Sequence, residues 1–488
     1  MPTAIPNNAV LIGWSTEPEV LLLNRANRHG VVAGATGTGK TVTLQVLAQE
    51  LSDAGVPVFA ADVKGDLSGI AVPGSNLDRF QDRAKKMGLA LKPAAPPVIF
   101  WDLFGKKGHP VRATVSEMGP LLLGRMLDLN DVQEGVLNIV FHVADQEGLL
   151  LLDLKDLQAA LKHVADNAQE IGTQYGNVAP ATVGSIQRAL LSLQSQGADN
   201  FFGEPALQLS DIMRVDASGK GYVSVLAADT LIQSPALYST FLLWLMSELF
   251  EQMPEVGDPD KPRLVFFFDE AHLLFHEPKA LLDKIEQVVR LIRSKGVGIY
   301  LVTQNPADIP DTVLAQLGNR VQHALRAYTP GEQKGLKAAA QSFRANPAFD
   351  TAEAIQGLGV GEELVSTLDE KGAPTVVQKT EICPPMSRIG PILPPERAEI
   401  INRSPVKGIY DNTIDRESAF ERLRARTAAD TAPEQQPQPR AQAAARGAQP
   451  RVSNRESVGE AFAKSLVRAA ASTAGRQLIR GVLGSLLK

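Results

Sequence analysis

Short β-branched and aromatic runs alternate along the chain with stretches of helical periodicity, the pattern of a parallel sheet covered by helices. The runs predict strands at His29–Ala33, Val56–Ala61, Val98–Asp102, Gly221–Leu226, Arg263–Phe268, Gly298–Thr303 and Arg320–Leu325. From Gly119 to Gln196 the strand signal disappears and leucines recur at helical spacing, as in LLDLKDLQAALKHVADN, which predicts an all-helical insertion over residues 119–200. A short helical stretch and a hairpin built from GEELVSTL and APTVVQKTEI follow Pro330, and the core is expected to end near Pro395. The pattern therefore divides into an α/β core in two parts, 1–118 and 201–395, interrupted by the insertion, then a peripheral helical segment over 396–428 with a helix at Arg416–Arg426.

Beyond that helix the character of the chain changes. The segment TAADTAPEQQPQPRAQAAARGAQP holds few large apolar groups to offset the entropy of ordering, so residues 429–455 are expected to be a disordered linker. Residues 456–488 regain apolar positions such as Val458, Phe462, Leu466, Leu478 and Leu483, set among Lys464, Arg468, Arg476 and Arg480. This is the pattern of a basic amphipathic helical tail. Gly475, Gly481 and Gly484 weaken an isolated helix by about 1 kcal/mol each. Ordering on contact is therefore expected, with self-association or docking on the core ahead of an anionic membrane surface.

Composition narrows the setting. The 488 residues are 44% hydrophobic and 21% charged with a net charge of -5, as in a soluble globular protein and unlike one that coats nucleic acid by charge alone. Cys383 is the single cysteine, so neither an intramolecular disulfide nor a cysteine cluster for zinc can form, and a reducing, cytoplasmic address is expected. No apolar stretch approaches the roughly 18 residues of a membrane span, and the opening MPTAIPNNAVLIGW has no basic segment followed by an apolar one.

The chemistry concentrates in three motifs. Gly34, Ala35, Thr36, Gly37, Thr38, Gly39, Lys40 and Thr41 read GATGTGKT, the phosphate-loop pattern, between an apolar strand and a helix that opens at Val42. Glycines allow successive amides to face one polyphosphate at the positive end of the helix; Lys40 would reach the β and γ phosphates of ATP, and the Thr41 hydroxyl would ligate Mg²⁺. The run LVFFFDE ends a buried strand in Asp269, which suits Mg²⁺, and Glu270, which suits the polarising of water. A second carboxylate beside the first points to an ATPase rather than a kinase. Residues 269–272 spell DEAH, but the remaining motifs of the DEAH-box helicases do not follow, and neither an Asn-Lys-x-Asp nor an LSGGQ-like signature is present. His272 and His276 lie four apart, yet Glu270 precedes both, so the zinc-protease order is missing and no metal is expected there. The strand GVGIYLVTQNP places Gln304 at its exit, within reach of the γ-phosphate or its water. Arg28, Arg290, Arg293, Arg320 and Arg326 compete for a role at the transition state. One basic loop, GKKGHPVR at Gly105–Arg112, is a candidate for contact with a polymer in a ring's pore, alongside an ordinary solvated loop.

With phosphate loop, acidic pair and VTQNP in this order, the chain resembles the HerA-like ATPases of the HerA/FtsK superfamily. More closely, through DVKGDLSG, LGNRVQHALRAYTP and GRQLIRGVLGSLLK, it resembles their YjgR (DUF853) branch. The resemblance covers nearly the whole chain. It implies a RecA-like P-loop ATPase core, assembled as a ring, a hexamer by expectation, with ATP at subunit interfaces. It also implies nucleotide roles for Lys40, Thr41, Asp269, Glu270 and Gln304, a trans arginine at Arg28, and a cis arginine at Arg320 or Arg326. HerA helicases carry an N-terminal β-barrel that docks a nuclease; about 28 residues precede the phosphate-loop strand here, so a nuclease partner is not expected. Three functions remain open: a DNA translocase or helicase, a ring ATPase acting on protein as secretion motors do, and a nucleotide-dependent oligomeric scaffold.

Overall fold

The computed structural model describes residues 5–75, 77–275 and 279–431. The linker from residue 432 onward, the amphipathic tail and His276 lie outside the described residues. The strands are β1 (Ala9–Trp14), β2 (Pro18–Leu22), β3 (Gly30–Ala33), β4 (Val58–Asp62), β5 (Val98–Asp102), β6 (His109–Pro110), β7 (Val223–Ala227), β8 (Leu264–Phe268), β9 (Val297–Thr303), β10 (Asn319–Gln322), β11 (Glu362–Ser366) and β12 (Gln378–Ile382). They form one sheet in the order β2-β1-β12-β11-β10-β3-β9-β8-β4-β7-β5-β6. From β10 to β6 every neighbouring pair is parallel. From β10 to β2 every pair is antiparallel.

Burial explains why the central strands read as continuous apolar runs. Along β8, Phe266 and Phe268 enter the core on one face and Val265 and Phe267 the core on the other, all fully buried. The helix Lys40–Asp53 covers the second face through Leu44, Leu47 and Leu51. The first face is covered by the helix Pro235–Gln252 and by the helices between Val115 and Ser195. Inward residues such as Leu137, Leu161 and Leu190 join the same apolar cluster as Ile99, Trp101 and Phe266. The strands β1 and β2, which are not among the predicted runs, extend the sheet beyond the expected hairpin. Among the described residues no helix is long and apolar enough to cross a membrane.

The chain after Pro395 is tied into this core by Tyr410, which is fully buried. Its ring stands edge-on to Trp101 at 5.3 Å, its hydroxyl donates to Asp211 Oδ2 at 2.5 Å, and its carbonyl accepts from Arg112 Nη1 at 2.8 Å. Removing the hydroxyl takes a donor from a buried carboxylate, so Tyr410→Phe is expected to cost about 1–3 kcal/mol and Tyr410→Ala about 3–5 kcal/mol. Urea midpoints within error of wild type for both variants would show that this segment does not stabilise the core.

Candidate nucleotide site

The phosphate loop leaves the carboxyl end of β3 and is held from both sides. Gly34 N donates to Thr303 O of β9 at 3.2 Å, and Ala35 N donates to Ala324 O beyond β10 at 2.9 Å. Gly34 cannot be replaced without displacing His323, because a Cβ there would lie 2.5 Å from the histidine's own Cβ. Gly37 turns with φ 79° at the exposed crest, where a Cβ would meet nothing within 4 Å, so its conformation rather than crowding requires glycine. Lys40, at the first turn of its helix, donates to Gly34 O at 2.5 Å and Ala35 O at 3.0 Å. Burial lowers its pKa first, followed by repulsion from Lys64, while Asp269 and Glu270 act in the opposite sense. The loop lysine, a second lysine and both acidic residues are thus within electrostatic reach of one another.

The strand order makes this convergence possible. The strand β9 lies between β3 and β8, so residues leaving it stand between the phosphate loop and the acidic pair. Gln304, at that exit, donates to Glu270 Oε2 at 3.3 Å. On the other side of β8 lies β4, and Lys64, two residues past its end, forms an ion pair with Glu270 Oε1 at 3.0 Å. Burial opposes ionisation of Glu270, but Lys64, Gln304 and His272 together hold its carboxyl below the ordinary value. Glu270 also carries φ 50°, a left-handed conformation that a non-glycine residue adopts at a cost. Asp269 behaves differently: burial first, and Glu270 second, push its carboxyl up to about 6. Tyr238 fixes the backbone here by donating to Asp269 O at 2.9 Å.

These groups fit Mg²⁺ held together with phosphates. The Thr41 hydroxyl and the Asp269 carboxylate are two oxygen donors, and no group of three or more His, Cys, Asp or Glu residues suited to a metal occurs among the described residues. A small donor set that leaves positions for phosphate oxygens and water is the usual arrangement for this ion. His272 lies 3.4 Å from Glu270, in the acidic pair's own surroundings.

Two residues that sequence reading missed support the loop from below. His323 Nε2 lies 3.0 Å from Thr43 Oγ1 and 3.1 Å from Glu363 Oε2, and the Thr43 hydroxyl donates to Glu363 at 3.1 Å. The three residues are buried and come from the phosphate-loop helix, the end of β10 and β11. Burial lowers the His323 pKa to about 3 and pushes the Glu363 carboxyl up to about 8, so the network is neutral at its centre. Nothing local in GEELVSTL distinguishes Glu363 from a solvated acid; only the partner strand places it there.

The arginines separate by edge. Arg28 and Arg320 line a cavity of about 360 Å³ with Arg290 and Arg293, and they flank the amino ends of β3 and β10, opposite the phosphate loop. Arg28 pairs with Asp258 at 3.0 Å. Arg320 donates to the carbonyls of Leu317, Ser342 and Leu314, which corrects its expected place beside the nucleotide: it braces backbone instead. Arg326, exposed, lies two residues past Ala324, the carbonyl that anchors the loop. The basic loop at Gly105–Arg112 is also largely engaged internally. Lys107 pairs with Asp229, His109 with Asp411, and Arg112 is buried on Tyr410.

A phosphate loop on one parallel strand, an acidic pair on the next but one, and a strand with a polar exit between them define a RecA-like P-loop NTPase. Residues 10–488 match the family described as helicase HerA-like C-terminal, and the chain belongs to that family. Among curated proteins it is 21% identical over 367 residues to the DNA double-strand break repair helicase HerA of Saccharolobus solfataricus, covering 73% of this chain and 64% of that one. It is likewise 21% identical over 376 residues to the protein of the same name from Sulfolobus acidocaldarius, covering 73% and 65%. The chain thus spans less than two thirds of the length of these relatives. Among solved structures it is similar to the plasmid coupling protein TrwB in complex with ADP and Mg²⁺, with TM-score 0.52, 14% identity, and 80% and 92% of the two chains covered. It is also similar to VirB4 of Thermoanaerobacter pseudethanolicus, with TM-score 0.50, 16% identity, and 80% and 99% covered. These two likenesses concern the fold.

The Glu363 network sets a pH dependence. With its folded pKa near 8 and an ordinary value of 4.5, Glu363 keeps its proton in the folded chain after the unfolded chain has lost it. The unfolded state then binds fewer protons, so stability falls as pH rises through this window, by up to about 1.4 kcal/mol per unit. Glu363→Gln, which is always neutral, should flatten the stability profile between pH 5 and pH 8 relative to wild type. Parallel profiles would mean that Glu363 does not carry the proton.

Proposed function

We propose that the chain is an ATP-hydrolysing motor that works as a ring of identical subunits and translocates on DNA. The observation that carries the reading is the meeting of Lys40, Asp269, Glu270 and Gln304 at the carboxyl edge of β3, β8 and β9. In this reading the loop amides and Lys40 hold the β and γ phosphates, and Thr41 and Asp269 hold Mg²⁺, which when bound draws charge from the phosphate oxygens. Glu270 takes a proton from water as its oxygen attacks the γ-phosphorus; the bond to the bridging oxygen breaks, and ADP leaves with the electron pair. Gln304 orients that water, and Arg326 supplies positive charge within the subunit.

A ring is supported by Arg28. The four residues of β3 lie between it and its own phosphate loop, and such a strand spans roughly 13 Å, so in this reading any nucleotide Arg28 serves belongs to a neighbour. DNA as the track rests on the relatives that share the family, two of which are named DNA double-strand break repair helicases.

Lys40→Ala is expected to abolish ATP binding, whereas Glu270→Gln should bind ATP and slow single-turnover hydrolysis by about 10²- to 10⁴-fold. Normal turnover in Glu270→Gln would remove the base from that position. Mixing Arg28→Ala subunits with Lys40→Ala subunits should restore part of the hydrolysis that each lacks alone; a mixture that assembles but stays inactive excludes Arg28 as the shared arginine. Double-stranded DNA is expected to raise wild-type ATP turnover. Turnover indifferent to both double- and single-stranded DNA would redirect the motor to a protein substrate.

A further inference from the structure

Glu270 is gripped from both neighbouring strands, and the two grips differ in kind. Gln304, on the β9 side, holds it through long contacts of 3.3 and 3.5 Å. Lys64, on the β4 side, holds it through a charge-assisted contact of 3.0 Å, the stronger type. A carboxylate held by an ammonium group is a weaker base, and Lys64 holds Glu270 below the ordinary carboxylate value, so releasing that contact makes Glu270 readier to take a proton from water. Glu270 itself is poorly placed to move, being 8% exposed and following a buried strand.

Lys64 can move. Its side chain is 41% exposed, so water can solvate the ammonium group when it leaves the carboxylate. The backbone around it is pinned: Asp62 accepts from Gly65 N at 2.8 Å and Ser68 N at 3.1 Å. Ser68 Oγ donates to Gly65 O and accepts from Ile392 N. Any displacement is therefore confined to the flexible four-carbon stem. The ammonium it carries is close enough to Lys40 to depress that lysine's pKa, second only to burial as a cause. Two ammonium groups brought together beside Asp269 and Glu270 flank a place suited to a highly charged anion.

We propose that Lys64 is a switch that exchanges Glu270 for the terminal phosphate of ATP, thereby releasing the base only when a nucleoside triphosphate is bound. This rests on the assignment of Glu270 and the phosphate loop given above. The terminal phosphate offers Lys64 a more concentrated negative charge than the carboxylate; ADP, lacking that group, leaves Lys64 on Glu270. Lys64 is a positioning residue for Glu270 and a discriminator between ATP and ADP. No local feature of DVKGDLSG signals this, since the partner lies on another strand.

The test is equilibrium binding of ATPγS and of ADP, each with Mg²⁺, by competition with a fluorescent nucleotide, to the full chain and to Lys64→Ala, Lys64→Met and Lys64→Arg. Because the exchange gives Lys64 a more highly charged partner than Glu270, Lys64→Ala and Lys64→Met are expected to weaken ATPγS by about ten-fold while leaving ADP unchanged. Lys64→Arg should keep most of the discrimination. Equal weakening of both nucleotides, with thermal melts unchanged, would make Lys64 merely structural and overturn the switch. Binding that requires Lys40 but ignores Lys64 would sink the switch alone, whereas wild-type binding that survives Lys40→Ala would sink the site assignment beneath it.

Discussion

The carboxyl edge of the sheet depends on keeping two carboxylates and two ammonium groups together, partly out of water. The buried ones would be costly to desolvate alone, and the geometry answers by making each the partner of another. Lys64 offsets Glu270, Lys40 is drawn to both acids, and Asp269, the least well paired, keeps a raised pKa. An imbalance centred on Asp269 is what a divalent cation corrects. The arrangement is stable enough to form and incomplete enough to bind.

Strand order turns that chemistry into mechanics. Because β9 separates the strand of the phosphate loop from the strand of the acidic pair, the phosphate loop, Gln304 and the acidic pair are carried by three different strands of one sheet. The loop rests on His323, which is locked to Thr43 and Glu363, so the loop's base is tied to β10 and β11. At the opposite edge Arg28 stands beside Arg293, both held by Asp258. In a ring, the two edges of neighbouring subunits would complete one another, which gives the fold a reason to keep arginines so far from its own nucleotide.

The central sheet was legible in the sequence because strands buried on both faces leave unbroken apolar runs, as Leu264–Phe268 and Val297–Thr303 do. The phosphate loop and acidic pair were legible for a related reason: glycine spacing and adjacent carboxylates are rare local patterns with specific chemistry. What escaped was set by tertiary partners. The strand β2 opens on Pro18 and pairs with β1, which is joined to the sheet by β12 from the far end of the core. Arg320 reads like any arginine near a site, yet it braces three carbonyls. Lys64, His323 and Glu363 become informative only once distant strands are neighbours.

Nucleotide held at the carboxyl edge by elements from separate strands should order all of those elements at once. Hydrogen–deuterium exchange of the full chain with and without Mg²⁺ and ATPγS tests this most directly. Peptides spanning residues 34–43, 62–69 and 269–275 should all gain protection together, with the helices over residues 131–195 unchanged. Protection confined to the helices, or absent from the acidic-pair and Lys64 peptides while the phosphate loop responds, would contradict it.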